Sequence, residues 1–276
     1  MPHKQEPVSV SREIREEQKN ALSTMTFKEK WKYFWYYYKV HVIAAALIII
    51  VAVTMIRDIV TSKDINFYAF MLNSFNLNGE ELAADFADFA SLDTENYETF
   101  FDTISTLSFS EPSEYDMATT QKIMAMMQTQ DLDVIVTNQE VFQNYAVNEM
   151  FLDLRTILTA EELDTYADYF FYVDAAEFDK EEDVSSYADM ENPTAEELTA
   201  QAQAHKDPTT MEQPVPVGIY VSHSPFVSET ICYGDMEAVY GVVATSARQD
   251  TAKQFLDYLF SGRVPAFTDP YFGSAG

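Results

Sequence analysis

One stretch of the chain, Val40 to Ile56, reads VHVIAAALIIIVAVTMI, and everything else must be arranged around it. Its 17 residues hold no acidic or basic side chain except His41 at the edge, and Tyr36, Tyr37, Tyr38 and Lys39 extend it to 21. At ~1.5 Å per residue the extended run nearly matches a hydrocarbon core of roughly 30 Å, with flanking side chains snorkelling over the remainder. A helix this apolar in a soluble protein would need protein on every face. The flanks suit a bilayer interface instead. FWYYY at Phe34–Tyr38 is an aromatic belt, and Lys28, Lys30, Lys32 and Lys39 lie on the same side of the run. About 39 residues precede the run, it exceeds the usual apolar core of a signal peptide, and no small-x-small site follows Ile56. The sequence therefore predicts a retained membrane-spanning helix within 27–57.

Charge sets the expected orientation. The chain carries a net charge of +3 over residues 1–39 and −31 after the span, which together give −28. Lysine and arginine on the N-terminal side place that end in the cytoplasm and residue 57 onward outside the cell membrane. Residues 1–26 read as a polar cytoplasmic tail, 27–57 as the juxtamembrane and transmembrane helix, and 65–276 as an extracellular domain. A domain so acidic is repelled by phosphate backbones, so no nucleic acid is expected as a partner, whereas the lipid bilayer is.

Beyond the span, hydrophobic period gives the order of elements. INFYAFML (65–72) reads as a buried strand, and GEELAADFADFASL places Leu82, Phe86 and Phe89 at helical spacing. Tyr97–Phe109 suits one or two strands. TTQKIMAMMQTQ is a helix with Ile123, Met124, Met126 and Met127 turned inward. Leu132–Thr137 is a strand of parallel type with Asn138 placed to cap the helix that follows, and Thr159 to Glu162 forms a capping box. Residues 174–214 read as an acidic surface excursion with three prolines and one helix around 194–204. Strands at 216–222 and 238–246 follow, then a helix with Ala252, Phe255, Leu256, Leu259 and Phe260 on one face and Gly262 ending it. Strands alternating with helices indicate an α/β fold, a sheet flanked by helices and preceded by one N-terminal transmembrane helix.

The segment QKIMAMMQTQDLDVIVTNQEVFQNYAVNEMFLDLRTIL resembles extracellular solute-binding proteins of the type 2 periplasmic-binding-protein-like fold. The likeness rests on a helix leading to an Asp-then-apolar strand, a polar residue after it, another helix, and the MFLDL run with Asp153 and Leu154. VPVGIYVSHSPFV and VYGVVATSARQDTAKQFLDYLF are similar to that family's closing pattern, carried by Ala252, Phe255 and Leu259. The resemblance covers about two thirds of the region outside and implies capture of a small molecule, a sugar or peptide, for uptake through a transporter permease or for sensing. The region is short for a full two-lobed member, and a retained helix stands where many members carry a lipid-modified cysteine. A non-transport envelope protein that uses a degenerate binding domain for protein contacts is the alternative.

In open α/β sheets ligands sit beyond the carboxyl ends of the strands. That rule marks Asn73, Ser74, Asn138, Gln139, Ser222, Ser224 and Ser246 as candidate ligand-binding residues; each is equally a cap or turn residue. The aromatic cluster Tyr166, Tyr169, Phe170, Phe171 and Tyr172 could stack on a sugar, although core packing is its simpler role. No Gly-rich phosphate loop, HExxH, CxxC or G-x-S-x-G occurs, and the four histidines are scattered, so no enzyme activity and no cofactor are expected. His223 lies between Ser222 and Ser224, but neighbours on an extended chain point to opposite sides. Asp179, Glu181, Glu182 and Asp183 lack the spacing of a calcium loop, and Cys232 is the single cysteine.

Overall fold

A computed structural model describes residues 19, 26–61, 63–110, 113–178, 200 and 203–265. The chain divides into two compact units, one ending at Ser62 and the other beginning at Lys63. The first contains helix α1, Phe27–Thr61. Its segment Phe27–Arg57 is long and apolar enough to cross a membrane, and none of its most apolar window is buried by protein. A core helix is covered by its neighbours, and this one is not. Within the run, the Thr54 hydroxyl donates to the Val51 carbonyl at 2.9 Å, so its one hydroxyl is satisfied by the helix itself.

The second unit is a six-stranded mixed sheet between two layers of helices. Its elements in order are β1 (Asp64–Met71), α2 (Gly79–Phe89), β2 (Tyr97–Asp102), α3 (Glu114–Thr129), β3 (Val134–Asn138) and α4 (Gln139–Ala146), then α5 (Ala160–Thr165), β4 (Phe170–Asp174), β5 (Pro214–Tyr220), α6 (Pro225–Thr230), β6 (Ala238–Val242) and α7 (Gln249–Phe260). The strands lie in the order β2-β1-β3-β6-β5-β4. Strands β2 and β3 run parallel to β1 on either side of it, and β6, β5 and β4 follow in successive antiparallel pairings. Strand β5 therefore points the same way as β1, β2 and β3, while β4 and β6 point the other way.

The alternation of β1 builds both layers. Phe67, Ala69 and Met71 face one core with Leu82 and Phe86 of α2, Phe226 of α6 and Phe255 and Leu259 of α7. Tyr68, Phe70 and Leu72 face the other with Ile123 of α3 and Val141, Phe142 and Tyr145 of α4. With helices on both faces, the inner strands β3 and β6 have no solvent side, which is why VIVT and AVYGV read as unbroken apolar runs. Cα positions pair Ile135 with Gly241 and Val136 with Tyr240, fixing the antiparallel register at the centre.

Two glycines are explained by one aromatic ring. A Cβ on Gly218 would meet Phe142 at 2.5 Å, and one on Gly241 would meet the same ring at 2.6 Å. Phe142 also stacks on Phe151 at 4.2 Å, so it cannot tilt away from the sheet. The far edge of the ring from α4 thus reaches the backbone of both strands, where neither can present a side chain.

The structure bears the sequence reading out for β1, α2, β3, the Thr159–Glu162 capping box and α7, with Gly262 beyond its end at φ 76°. It resolves the one-or-two-strand choice at 97–109, corrects the reading at α3 and at Asn138, and ends the last two strands earlier than expected, at Tyr220 and Val242. Residues 97–109 contain one strand, ending at Asp102, because Asp102 turns its carboxylate back onto the backbone N–H groups of Ile104 and Ser105. Helix α3 begins earlier, at a capping box between Ser113 and Asp116, and buries Asp116, Thr119 and Ile123; Met124, one step round the helix, is exposed. Asn138 occupies the cap position of α4 without making a cap bond. The helix expected at 194–204 lies outside the described residues apart from Ala200, Gln203 and Ala204, and the acidic group at 179–183 lies wholly outside them.

Gly241→Ala is expected to destabilise the folded chain by about 1–3 kcal/mol through overpacking, read as a lower urea midpoint. Combining it with Phe142→Leu should recover only part of the loss, because the Phe142 ring atoms at 2.6 and 2.8 Å are then gone while Phe151 Cδ1 at 2.7 Å stays.

Candidate functional site

The order β2-β1-β3 creates a switch point: the chain leaves β1 toward β2 and returns across β1 to reach β3. Asn73 and Ser74 follow β1 there, and Asn138 and Gln139 follow β3. Ser222 and Ser224 come after β5 at the same end of the sheet, because β5 is parallel to β3. Ser246 is at the opposite end, since β6 runs the other way.

Geometry brings Asn73 and Asn138 into contact. The Asn73 Nδ2 donates to Asn138 Oδ1 at 2.7 Å and to the Leu107 carbonyl at 2.7 Å, and its Oδ1 accepts from the Leu107 N–H at 2.8 Å. Asn73 sits at φ 60°, a left-handed conformation that asparagine tolerates better than most residues. Thr137 Oγ1 donates to the same Asn138 oxygen at 3.2 Å, which explains why that side chain does not cap α4. The segment after β2 is thereby pinned across the carboxyl ends of β1 and β3, with Leu107 buried beneath it. Amide groups that a ligand would address are engaged with one another and with backbone.

The remaining residues marked from sequence hold the chain together. Ser222 Oγ accepts from the Ala238 N–H at 2.7 Å, and Ser224, fully buried, caps α6 through the Val227 N–H. The Gln139 N–H donates to the Glu237 carbonyl at 2.9 Å. His223, between the two serines, stacks on Tyr169 at 3.6 Å rather than pairing with either. Of the aromatic cluster, Tyr166, Phe170 and Phe171 are core residues, and burial pushes the Tyr166 phenol up to about 12.

Ser246 belongs to a network that the sequence reading did not assemble. Asp133, with no exposed side-chain surface, accepts from Ser246 Oγ at 2.6 Å, from the Tyr68 N–H at 2.9 Å and from Arg248 Nε at 2.9 Å. Burial pushes the carboxyl above its usual range, against the opposing pull of Ser246, Tyr68 and Arg248. Arg248 also donates to the carbonyl oxygens of Asp131, Gln130 and Ile65. An aspartate inside the apolar run DLDVIVT was the available signal, because such a charge must find a cation or hydroxyl partner.

Two concave surfaces flank the residues after β2. One, about 710 Å³, lies between α2 and β2 and is lined by Leu77, Gly79, Glu80, Glu98, Phe101 and Ile104 among others. The second, about 300 Å³, includes Ser105, Tyr115, Thr119 and Lys122. Lys122 Nζ lies 2.6 Å from Asp102 and 5.1 Å from the Phe70 ring centroid. Burial acts to raise the Asp102 carboxyl, but Lys122 and Ser105 outweigh it and hold the group below its usual value. Ile104, 89% exposed, projects between the two hollows. Among the described residues no three His, Cys, Asp or Glu side chains converge as a metal site would require.

The edges of the sheet differ. On β4, the Tyr172 N–H donates to the His205 carbonyl at 2.8 Å and the His205 ring Nδ1–H returns a bond to the Tyr172 carbonyl at 2.7 Å, so the 203–207 segment covers that edge. On β2, no backbone hydrogen bond from a described segment other than β1 arrives, while Tyr97 and Phe100 remain exposed. Compared with known proteins, the chain matches no family model, no curated relative and no solved structure.

Asn73→Ala is expected to lower stability by about 2 kcal/mol, because it removes three hydrogen bonds and places a β-carbon residue without an amide at positive φ. Urea unfolding measures it. Burial lowers the His205 pKa from about 6.5, the Tyr172 bond opposing only in part. The folded state therefore favours the neutral ring, and this contribution is complete above the ordinary value and lost as pH falls below it. The urea-midpoint advantage of wild type over His205→Gln should shrink on going from pH ~7 to ~5; an advantage independent of pH would show that His205 titrates normally.

Proposed function

We propose that the chain is a single-pass cell-membrane protein, its N-terminus cytoplasmic, that presents an extracellular α/β domain of solute-binding type and uses it for contacts with another envelope protein. One observation favours protein contact over solute capture. The Asn73 amide and the Asn138 oxygen at the switch point are occupied by hydrogen bonds with each other and with Leu107, whereas no described segment other than β1 bonds the β2 backbone beside its adjoining hollows. An exposed strand edge recognises an extended segment through main-chain hydrogen bonds, with neighbouring hollows choosing alternate side chains. Glu80 and Glu98 in the larger hollow, on a domain of strongly negative charge, favour a segment with lysine or arginine beside apolar residues.

Solute capture is the second reading, and the 710 Å³ hollow supports it, since its size is that of a small-ligand site. Either mode leaves chemistry to the partner: no enzyme activity or cofactor is part of the proposal.

Two measurements on the full-length chain separate the readings. Photo-crosslinking from position 104 in intact cells should capture a discrete envelope protein, whereas the same probe at Asp168 should not. A thermal-shift screen against sugars, amino acids and peptides should be silent, because a ligand present at about 100 times its Kd adds ~2.7 kcal/mol and roughly 5–10 °C for a domain this size. A shift of that size with one small-molecule class, and no crosslink, would return the proposal to solute capture. Protease added to intact cells should remove the acidic domain; protection of it would reverse the proposed topology.

A further inference from the structure

Three of the lysines before the apolar run share a face with both tryptophans of the chain. Lys28, Trp31, Lys32, Trp35, Tyr36 and Lys39 line one groove of about 590 Å³ along α1. With 3.6 residues per turn these six fall within about 140° of the helix circumference, while Lys30, Tyr33 and Tyr37 fall on the other side. Trp31, Trp35 and Tyr36 are all exposed. Among the described residues the groove has no carboxylate in its lining. Glu29, the acid nearest to it in sequence, accepts from the Thr26 N–H at 2.9 Å and from Thr26 Oγ1 at 2.8 Å, so it caps the helix instead of pairing with a lysine.

Dimensions match a phospholipid headgroup. Lys32 and Lys39 are about 10 Å apart along the axis and Lys28 stands about 6 Å farther out, so with Lys39 at the hydrocarbon border Lys32 stands at the outer limit of a headgroup zone roughly 5–8 Å deep and Lys28 beyond it, their long stems reaching back toward the phosphate. Indole rings prefer that boundary, and lysine stems reach along the helix to bring the ammonium to phosphate. Orientation alone does not need this arrangement, because the bias toward a positive cytoplasmic side counts charges and is indifferent to the face that bears them.

We propose that this face binds the headgroup of an anionic phospholipid in the leaflet at the N-terminal end of α1, the lysines meeting the phosphate and the two indoles flanking the glycerol region. The proposal rests on reading α1 as a retained membrane span. It goes beyond anchoring in assigning a preference among lipids.

Because Trp31 and Trp35 are the chain's complement of tryptophan, its indole fluorescence reports this face alone. The full-length chain is reconstituted in phosphatidylcholine vesicles containing either brominated phosphatidylcholine or brominated phosphatidylglycerol as quencher. Quenching by the brominated anionic lipid should reach half-maximum at a lower mole fraction than quenching by the neutral one. Lys28→Gln, Lys32→Gln and Lys39→Gln together should raise the required anionic fraction by about fivefold or more. The exchange Lys32→Tyr with Tyr33→Lys keeps composition and charge but moves one lysine off the face, and it should weaken the preference without removing the span. Equal quenching by the two lipids, or a preference unchanged by both variants, overturns the proposal. Flotation with pure phosphatidylcholine vesicles after alkaline extraction tests the span separately: a chain that fails to float refutes the anchor, and one that floats without lipid preference refutes only the site.

Discussion

Asp133 enters the sheet at the start of β3 with its carboxylate fully enclosed, and four parts of the chain are held by it. Tyr68 brings the backbone of β1, Ser246 brings the turn after β6, Arg248 brings the entry to α7, and the Arg248 guanidinium then gathers the carbonyls that end α3. A buried carboxylate is tolerated only if its oxygens are satisfied, and here each is. The carboxylate's own bonds join residues as much as 115 positions apart. They also fix the register in which β6 enters antiparallel to β3, since a slip would separate Ser246 and Arg248 from the one charge they share. Breaking one partner would leave an uncompensated charge in a dry place, the situation in which buried ion pairs matter most.

From that fixed end, the opposite end of the sheet follows. Parallel strands β1 and β3 deliver Asn73 and Asn138 side by side, and the positive φ of Asn73 aims its amide at the Leu107 backbone. Ligand sites in such folds depend on unfilled polar groups at the strand ends. Here the Asn73 amide and the Asn138 oxygen are engaged, and among the described residues the β2 side offers an edge that only β1 bonds, with exposed aromatics bordering two hollows. The covered β4 edge shows the contrast in chemical terms: two bonds between Tyr172 and His205, with His205 also stacked on Phe171 at 4.3 Å, do for that edge what nothing described does for β2.

Local pattern carried much of this architecture. INFYAFML and VIVT were legible as two-sided buried strands from their short length and β-branched or aromatic content, and the Ala252–Phe255–Leu259 face from its helical period. What stayed hidden was pairing between distant segments. Asn138 stands where a cap belongs, and the bonds its oxygen accepts from Thr137 and from Asn73, 65 residues earlier, show why it does not act as one. Ser246 looked like one more polar residue after a strand, but the antiparallel entry of β6 put it at the far end of the sheet beside Asp133. Strand direction is not written in hydrophobic period, so a rule about carboxyl ends could select residues without saying which of them would meet. Phe142 gives the same lesson in packing: the glycines at 218 and 241 are visible in the sequence, yet the ring that demands them comes from another element.

Charge connects the two units in the proposed arrangement. The part before the apolar run is net positive and the part after it carries −31, so an anionic lipid surface attracts the first and repels the second. Screening confines both effects to about 8 Å at physiological salt, about half of the roughly 16 Å of axis between Lys28 and Lys39, so only lysines whose ammonium reaches the phosphate layer feel the lipid charge. The lysines act inside that layer, where a contact to phosphate survives screening because little water separates the charges. The acidic domain, presented on the other side in this reading, gains no such contact with lipid. Its field is left to select among proteins, and a cationic segment lying along β2 would meet Glu98 and Glu80 while satisfying main-chain groups that no described segment bonds. The same acidity discourages two copies of the domain from pairing through their β2 edges, which makes a different, oppositely charged chain the better match for that surface.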